Sequence, residues 1–212
     1  MQNKFCRDEH VYTSHDFEEL IMDAVRFFNG TPVHVLPPPE RFSGVGVYAL
    51  YFIGAKGRYA KYGALNRLQY EFPIYVGKAV PKGWRQSRAD ASNLRIGHEL
   101  FSRLREHSRN IDLGEGLASA DFRCRFMIFE GAGSDMISSI EASLIKSFKP
   151  LWNSVVDGFG NHTPGAGRFN QAKSDWDVIH PGRLWAEKCL GKARERAEVE
   201  ARIATHLLGL GE

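Results

Sequence analysis

The stretch Arg41–Phe52, RFSGVGVYALYF, decides how the chain is read. It holds Gly44-x-Gly46-x-x-Ala49, the spacing of a dinucleotide-binding turn. Such a turn needs a strand before its glycines and a helix after them, so that the phosphates meet the helix N-terminus. Here the order is reversed. Pro32 and Pro37-Pro38-Pro39 precede the glycines in an extended linker, and a β-branched and aromatic run, VGVYALYFI, follows them. The segment therefore reads as a buried strand carrying the triplet Gly46-Val47-Tyr48.

Working outward, residues 16–29 have helical spacing, with Leu20, Ile21, Ala24, Val25 and Phe28 on one face. Asp16 with Glu19 suits a capping box, and Gly30 suits a stop. After the first strand, residues 55–71 are polar, basic and tyrosine-rich, and read as a loop or short helix. Residues 72–80, FPIYVGKAV, form a second strand. Residues 92–109 form a helix with Leu94, Gly97, Leu100, Phe101 and Leu104 inward. Residues 122–130 form a third strand, alternating Phe122, Cys124, Phe126 and Ile128 against Arg123, Arg125 and Met127. Residues 135–149 form a helix capped by Ser134 or Asp135 and stopped by Pro150. The glycine-rich DGFGNHTPGAGRFN is loop, and residues 183–208 form a long charged helix with Arg194/Glu198 and Arg196/Glu200 pairs.

The order predicts an α+β fold: a three-stranded, mostly antiparallel sheet flanked by helices. The expected organisation is one domain over 1–212. An N-terminal helix and Pro-rich linker occupy 1–43, a core 44–153 carries an insertion at about 54–71, and a glycine-rich loop and helix occupy 154–212.

With 212 residues and 43% hydrophobic content, the chain is long enough for one ordinary core. The net charge of +3 says little about partners. Its distribution says more: residues 78–109 hold eight basic and three acidic residues, a local balance of +5. That concentration suits a phosphate-binding cleft, although a solvated basic helix would look the same. Cys6, Cys124 and Cys189 are odd in number and far apart, so no disulfide framework is indicated. Cys6-x-x-x-His10 lacks the further ligands a structural zinc needs. MQNKFCRDEH is not a secretory leader, and no run approaches the roughly 20 apolar residues of a membrane span, so a cytoplasmic protein without membrane contact is expected.

Six polar residues stand where a plain core would not choose them. Tyr48 and Tyr75 lie on the first two strands, Arg103 and His107 one turn apart on a helix, Glu141 early in the next helix, and Asn153 just past its end. Each alone has an ordinary explanation: amphipathic packing, a solvated helix face, helix-dipole chemistry, a turn. Together they form an ordered set. Gly46-Val47-Tyr48, then Tyr75-Val76-Gly77-Lys78, then Arg103, then Glu141-x-x-Leu144-Ile145-x-x-x-x-Pro150-x-x-Asn153 resembles the GIY-YIG nucleases over about residues 44–153. The Glu-to-Asn segment is the most specific part. Arg103 followed by His107, in a chain with a glycine-rich tail, is similar to the Type II restriction endonuclease branch. Residues 49–74 between the two triplets depart from the family's usual close spacing. With a shifted first strand, Tyr51 would take the place of Tyr48.

The resemblance implies a restriction endonuclease that hydrolyses DNA phosphodiesters and gives double-strand breaks. It implies one Mg²⁺ per active site, with Mn²⁺ able to substitute, held by Glu141. One carboxylate with waters and substrate oxygens suffices for Mg²⁺, and the lack of an Asp/Glu cluster argues against a two-metal site. Arg103 would grip nonbridging phosphate oxygens with its planar fork. Tyr48 would activate the water; its reference pKa of about 10 is high for a base, and His107, near 6.5, would share the proton. Tyr75 and Lys78 would complete the pocket and Asn153 would fix the scaffold. Whether Tyr48 or His107 takes the first proton is open. For DNA contact the candidates are Lys78, Arg58, Arg67, Arg85 and Arg168, arginine forks suiting guanine edges and hence a short G/C-rich palindrome. Two strands cut at a palindrome call for a homodimer, and a restriction enzyme for a partner DNA methyltransferase. The alternatives are a non-catalytic DNA-binding module with a nuclease-like fold, or a homing or repair nuclease.

Overall fold

The computed structural model describes residues 5–81, 97–165 and 167–211. Its elements are α1 (His15–Gly30), β1 (Val33–Val35), β2 (Val45–Phe52), α2 (Ala60–Leu65), β3 (Tyr75–Ala79), α3 (Glu99–Leu113), β4 (Phe122–Phe129), α4 (Ile137–Phe148), α5 (Leu151–Ser154), α6 (Asp175–Ile179) and α7 (Arg196–Leu208). The sheet is antiparallel throughout, in the order β1-β4-β2-β3.

The sheet has four strands rather than three. Val33–Val35, expected as linker, pairs with Arg123–Arg125 at the sheet edge. Three residues are too few to show a period in sequence; the partner strand makes them a strand.

All eight residues of β2 are buried, because helices cover both faces of the sheet. On one face Tyr48, Leu50 and Phe52 meet Leu100, Leu104 and Ile111 of α3, Trp152 of α5 and Val199 and Ile203 of α7. On the other, Val45, Val47, Ala49 and Tyr51 meet Phe28 of α1 and Ile137, Ile140 and Leu144 of α4. Two covered faces also explain why the expected alternation fails late in β4. Met127, read as outward, is buried under the α1/α4 layer, while Ile128, read as inward, is exposed.

Three helices differ from expectation at their ends. Ser14, not Asp16, caps α1 by accepting from Phe17 N at 3.2 Å, and Gly30 is its last residue rather than a stop beyond it. The helix of 135–149 begins at Ile137 after a 3-10 turn over Gly131–Met136. The long C-terminal helix is only Arg196–Leu208. Upstream, Leu190 N and Gly191 N donate to Phe169 O and Gln171 O, and that pairing draws the backbone away from helical geometry. The Arg194/Glu198 and Arg196/Glu200 pairs form as expected, each at 3.1 Å. The start of the helix expected at 92 lies outside the described residues; α3 runs from Glu99.

Residues 58–62 contact α7. Arg58 Nη2 donates to Glu200 Oε1 at 3.0 Å, and Tyr62 Oη lies 2.9 Å from His206 Nε2. Lys61 Nζ donates to Leu207 O and Leu208 O at 2.6 and 3.1 Å, where carbonyls at a helix C-terminus favour a cation. Arg58, a candidate for DNA contact, and Lys61 are therefore both held against α7. Arg67 remains exposed.

Candidate active site

Register brings the two tyrosine triplets together. Tyr48 of β2 lies opposite Gly77 of β3, and Leu50 opposite Tyr75. A Cβ on Gly77 would lie 2.7 Å from Tyr48 Cζ, well inside contact distance, so the glycine is there to admit the phenol ring. Gly46 has the same role against β4: its Cβ would run into the carbonyl of Met127. Gly77→Ala is expected to push the Tyr48 ring off its partner, at about 1–3 kcal/mol in stability. About 10²-fold in cleavage should follow from a shift on the order of 1 Å. Urea unfolding with steady-state cleavage on the same sample checks both; an alanine variant as active as the parent contradicts the close approach.

Period 2 in β2 chooses between the two candidate tyrosines. Tyr48 faces α3, where its Oη lies 2.6 Å from Nε2 of His107. Tyr51 faces the α1/α4 side, under the Arg125 guanidinium at 5.6 Å, and burial pushes its phenol up to about 12. Only Tyr48 shares a face with His107.

Tyr48 and His107 are both 0% exposed, so the helix face read as solvated points inward. Burial, then Tyr75, holds the Tyr48 phenol well above its ordinary value, and Arg103 opposes them. Burial, followed by the charges of Arg103, His162 and Arg183, holds the imidazole well below its own. Both are therefore neutral near pH 7 with one proton between them. Among the described residues His107 Nδ1 has no hydrogen-bond partner. Phe159 stacks on the imidazole at 4.5 Å, and Tyr75 packs edge-on against both rings.

Above this layer opens a cleft of about 760 Å³, lined among others by Tyr75, Lys78, Arg103, Glu106, Glu141 and His162. Lys78 Nζ lies 2.7 Å from Glu141 Oε2 and donates to Ser138 Oγ at 3.1 Å. Arg103 Nη1 donates to Glu106 Oε2, and Nη2 to Gly160 O, each at 2.7 Å. Burial works against the guanidinium's charge, but Tyr48 and Glu106 outweigh it and raise its pKa.

Asn153 lies beneath the cleft. Its Oδ1 accepts from Val76 N at 2.8 Å and its Nδ2 donates to Val76 O at 2.9 Å. One amide side chain thus plays the missing neighbour of an edge strand and satisfies the backbone groups β3 would otherwise expose. Trp152 N adds a bond to Ile74 O at 2.9 Å. The Glu-to-Asn segment therefore holds Glu141 and the strand of Tyr75 in one frame.

Of the sequence-derived candidates, Tyr75, Lys78, Arg103 and Glu141 line one cleft, with Tyr48, His107 and Asn153 under it. Arg58 lines a separate hollow with His180 and Arg196. Arg67 and Arg168 are exposed and line neither. Arg85 lies outside the described residues, as do Lys82, Arg88 and Arg95, four of the eight basic residues in the charged stretch. Glu106, Gly160 and His162 were not anticipated. A histidine inside a glycine-rich loop, Gly160-Asn161-His162, was the one available signal.

No curated protein matches the chain. A family model described as the Eco29kI GIY-YIG domain matches residues 40–207, well over half the chain and past the motif-bearing core into α7. No described helix is long and apolar enough to cross a membrane. The paired tyrosine triplets, the cleft they floor and this match over most of the length lead to one conclusion: the chain belongs to the Eco29kI GIY-YIG family of restriction endonucleases, nucleases whose substrate is DNA.

Proposed function

We propose that the protein is a divalent-metal-dependent, site-specific DNA endonuclease that makes double-strand breaks at a short palindrome and acts as a homodimer beside a cognate DNA methyltransferase. The observation that carries this reading is the cleft in which Arg103 and Glu141 face one hollow directly above the Tyr48–His107 pair.

The donor set fits Mg²⁺. Glu141 already holds a cation, the ammonium of Lys78, at 2.7 Å. Among the described residues no three His, Cys, Asp or Glu converge, which matches an ion held by one carboxylate, waters and substrate oxygens rather than an all-protein cage. When bound, the ion would polarise the phosphate and stabilise the leaving oxygen.

The chain's own residues supply the rest. Arg103 binds the nonbridging oxygens; its fork suits phosphate and its raised pKa keeps it charged. Tyr48 receives the water's proton while His107 takes the phenol's through their shared hydrogen bond, so no free phenolate is needed. Lys78, released from Glu141, turns to the phosphate. Tyr75 packs against His107 and holds that ring in place. Asn153 positions β3.

Plasmid DNA incubated with Mg²⁺ should yield discrete fragments, and none with EDTA. Binding without cleavage would favour the non-catalytic module, and nicking confined to branched or damaged DNA the repair alternative. Glu141→Gln should abolish cleavage and weaken Mg²⁺ binding by about tenfold or more in calorimetry, as loss of a charged oxygen ligand requires. Unchanged metal affinity would remove Glu141 from the ligand role.

A further inference from the structure

Arg103 is largely buried, and a buried guanidinium is not left without a counter-charge. Glu106 supplies it. One carboxylate oxygen, Oε2, accepts from Arg103 Nη1 at 2.7 Å; the other, Oε1, lies 2.9 Å from His162 Nδ1. Arg103 Nη1 also lies 2.9 Å from His162 Nε2. Nη1 also lies 3.2 Å from His162 Nδ1, so the guanidinium rests against the imidazole rather than on the lone pair of Nε2, while the ring donates from Nδ1 to Glu106 Oε1. The carboxylate thus sits across two donors on the cleft wall, one from α3 and one from the loop after α5.

A phosphodiester has the same charge and the same two-acceptor face as a carboxylate, and arginine binds both with the same fork. The seat that Glu106 fills is accordingly shaped for the nonbridging oxygens of a DNA phosphate. Glu106 is also the wrong charge to remain beside that phosphate. It is 37% exposed and His162 65%, so both are able to move toward solvent.

We propose that Glu106 is an internal stand-in for the DNA phosphate, and that His162 is a further substrate-contacting residue, donating from Nδ1 to the phosphate oxygen that takes the place of Glu106 Oε1. The inference rests on the nuclease reading of the same cleft. It extends that reading by two residues and by an exchange step: DNA enters, Glu106 leaves, and Arg103 and His162 change partner without losing a hydrogen bond. The cation opposite follows the same pattern, since Lys78 is matched by Glu141. Each of the two cations of the cleft is thus paired from within until substrate arrives.

The test is equilibrium binding of the full-length protein to a duplex in EDTA, read by fluorescence anisotropy. Glu106→Gln should bind on the order of tenfold tighter than the parent, since the competing anion is gone. It should also steepen the fall of log affinity with log salt by about one, the mark of one more neutralised phosphate. The double variant Glu106→Gln/His162→Ala should lose that gain and return to the parent's affinity or below. A histidine whose only task was to offset the charge of Glu106 would have no charge left to offset in this background, and its removal would change nothing. Glu106→Gln binding no tighter than the parent, or the double variant binding as tightly as Glu106→Gln, overturns the proposal. Failure of the underlying reading looks different: a parent protein that neither binds duplex in EDTA nor cuts plasmid in Mg²⁺.

Discussion

Tyr48→Phe is expected to bind DNA like the parent and to cleave it about 10²–10⁴-fold more slowly, the range that general acid–base groups contribute. The substitution removes one oxygen from a fully buried ring whose shape is otherwise kept. It removes the hydrogen-bond partner that His107 Nε2 has among the described residues, a contact of 2.6 Å. With both groups held neutral by burial, the proton from water has a route only if phenol and imidazole pass it along together. DNA affinity should be preserved because Arg103, Lys78 and Glu141 keep their positions in the cleft wall. Some stability should be lost, about 1–3 kcal/mol, because the imidazole nitrogen is left buried without its partner. Single-turnover cleavage at a temperature where the variant is fully folded separates the two effects. A phenylalanine variant that cuts at the parent's rate would take Tyr48 out of water activation.

The second large effect is expected at a pair outside the cleft lining. Arg183 and Asp177 are each 1% exposed and form a two-point ion pair, Nε to Oδ1 at 2.7 Å and Nη2 to Oδ2 at 2.8 Å. The guanidinium lies between the faces of Trp176 and Trp185, at 4.6 and 4.8 Å. Its remaining hydrogens go to three carbonyls of the loop after α5: Gly158 O at 2.9 Å, Phe159 O at 3.1 Å and Asn161 O at 3.3 Å. That loop carries Gly160 and His162 to Arg103. Arg183→Met should destabilise the fold by about 3–5 kcal/mol, because it strands the Asp177 carboxylate in the interior. The paired variant Arg183→Met/Asp177→Leu should recover much of that loss, since removing both charges removes the stranded one. Cleavage should remain impaired in the paired variant, whose loop carbonyls still lack their donor. Urea unfolding of the single and paired variants, with cleavage assayed on each, checks this; a single variant destabilised by less than about 1 kcal/mol would mean the loop has other support.

Local pattern carried much of this protein in its sequence. The reversed order of linker and strand around Gly46 excluded the dinucleotide turn. The spacing from Glu141 to Asn153 placed a carboxylate early in a helix and an amide past its end, and periodicity located α1, β2, β3, α3 and α4. These are readable because helix and strand periods lie within a dozen residues. What the tertiary structure alone decided is a matter of partners distant in the chain. Tyr48 rather than Tyr51 faces His107 because strand parity has no meaning until a helix lies on one face. Arg58 is paired with Glu200, 142 residues on, a contact that no local pattern announces. Glu106 looked like one more charge on a solvated helix until His162, 56 residues on, closed over it. Burial does the same for acid–base character: a phenol and an imidazole have ordinary pKa values in a sequence, and only the packed layer beneath the cleft drives them apart.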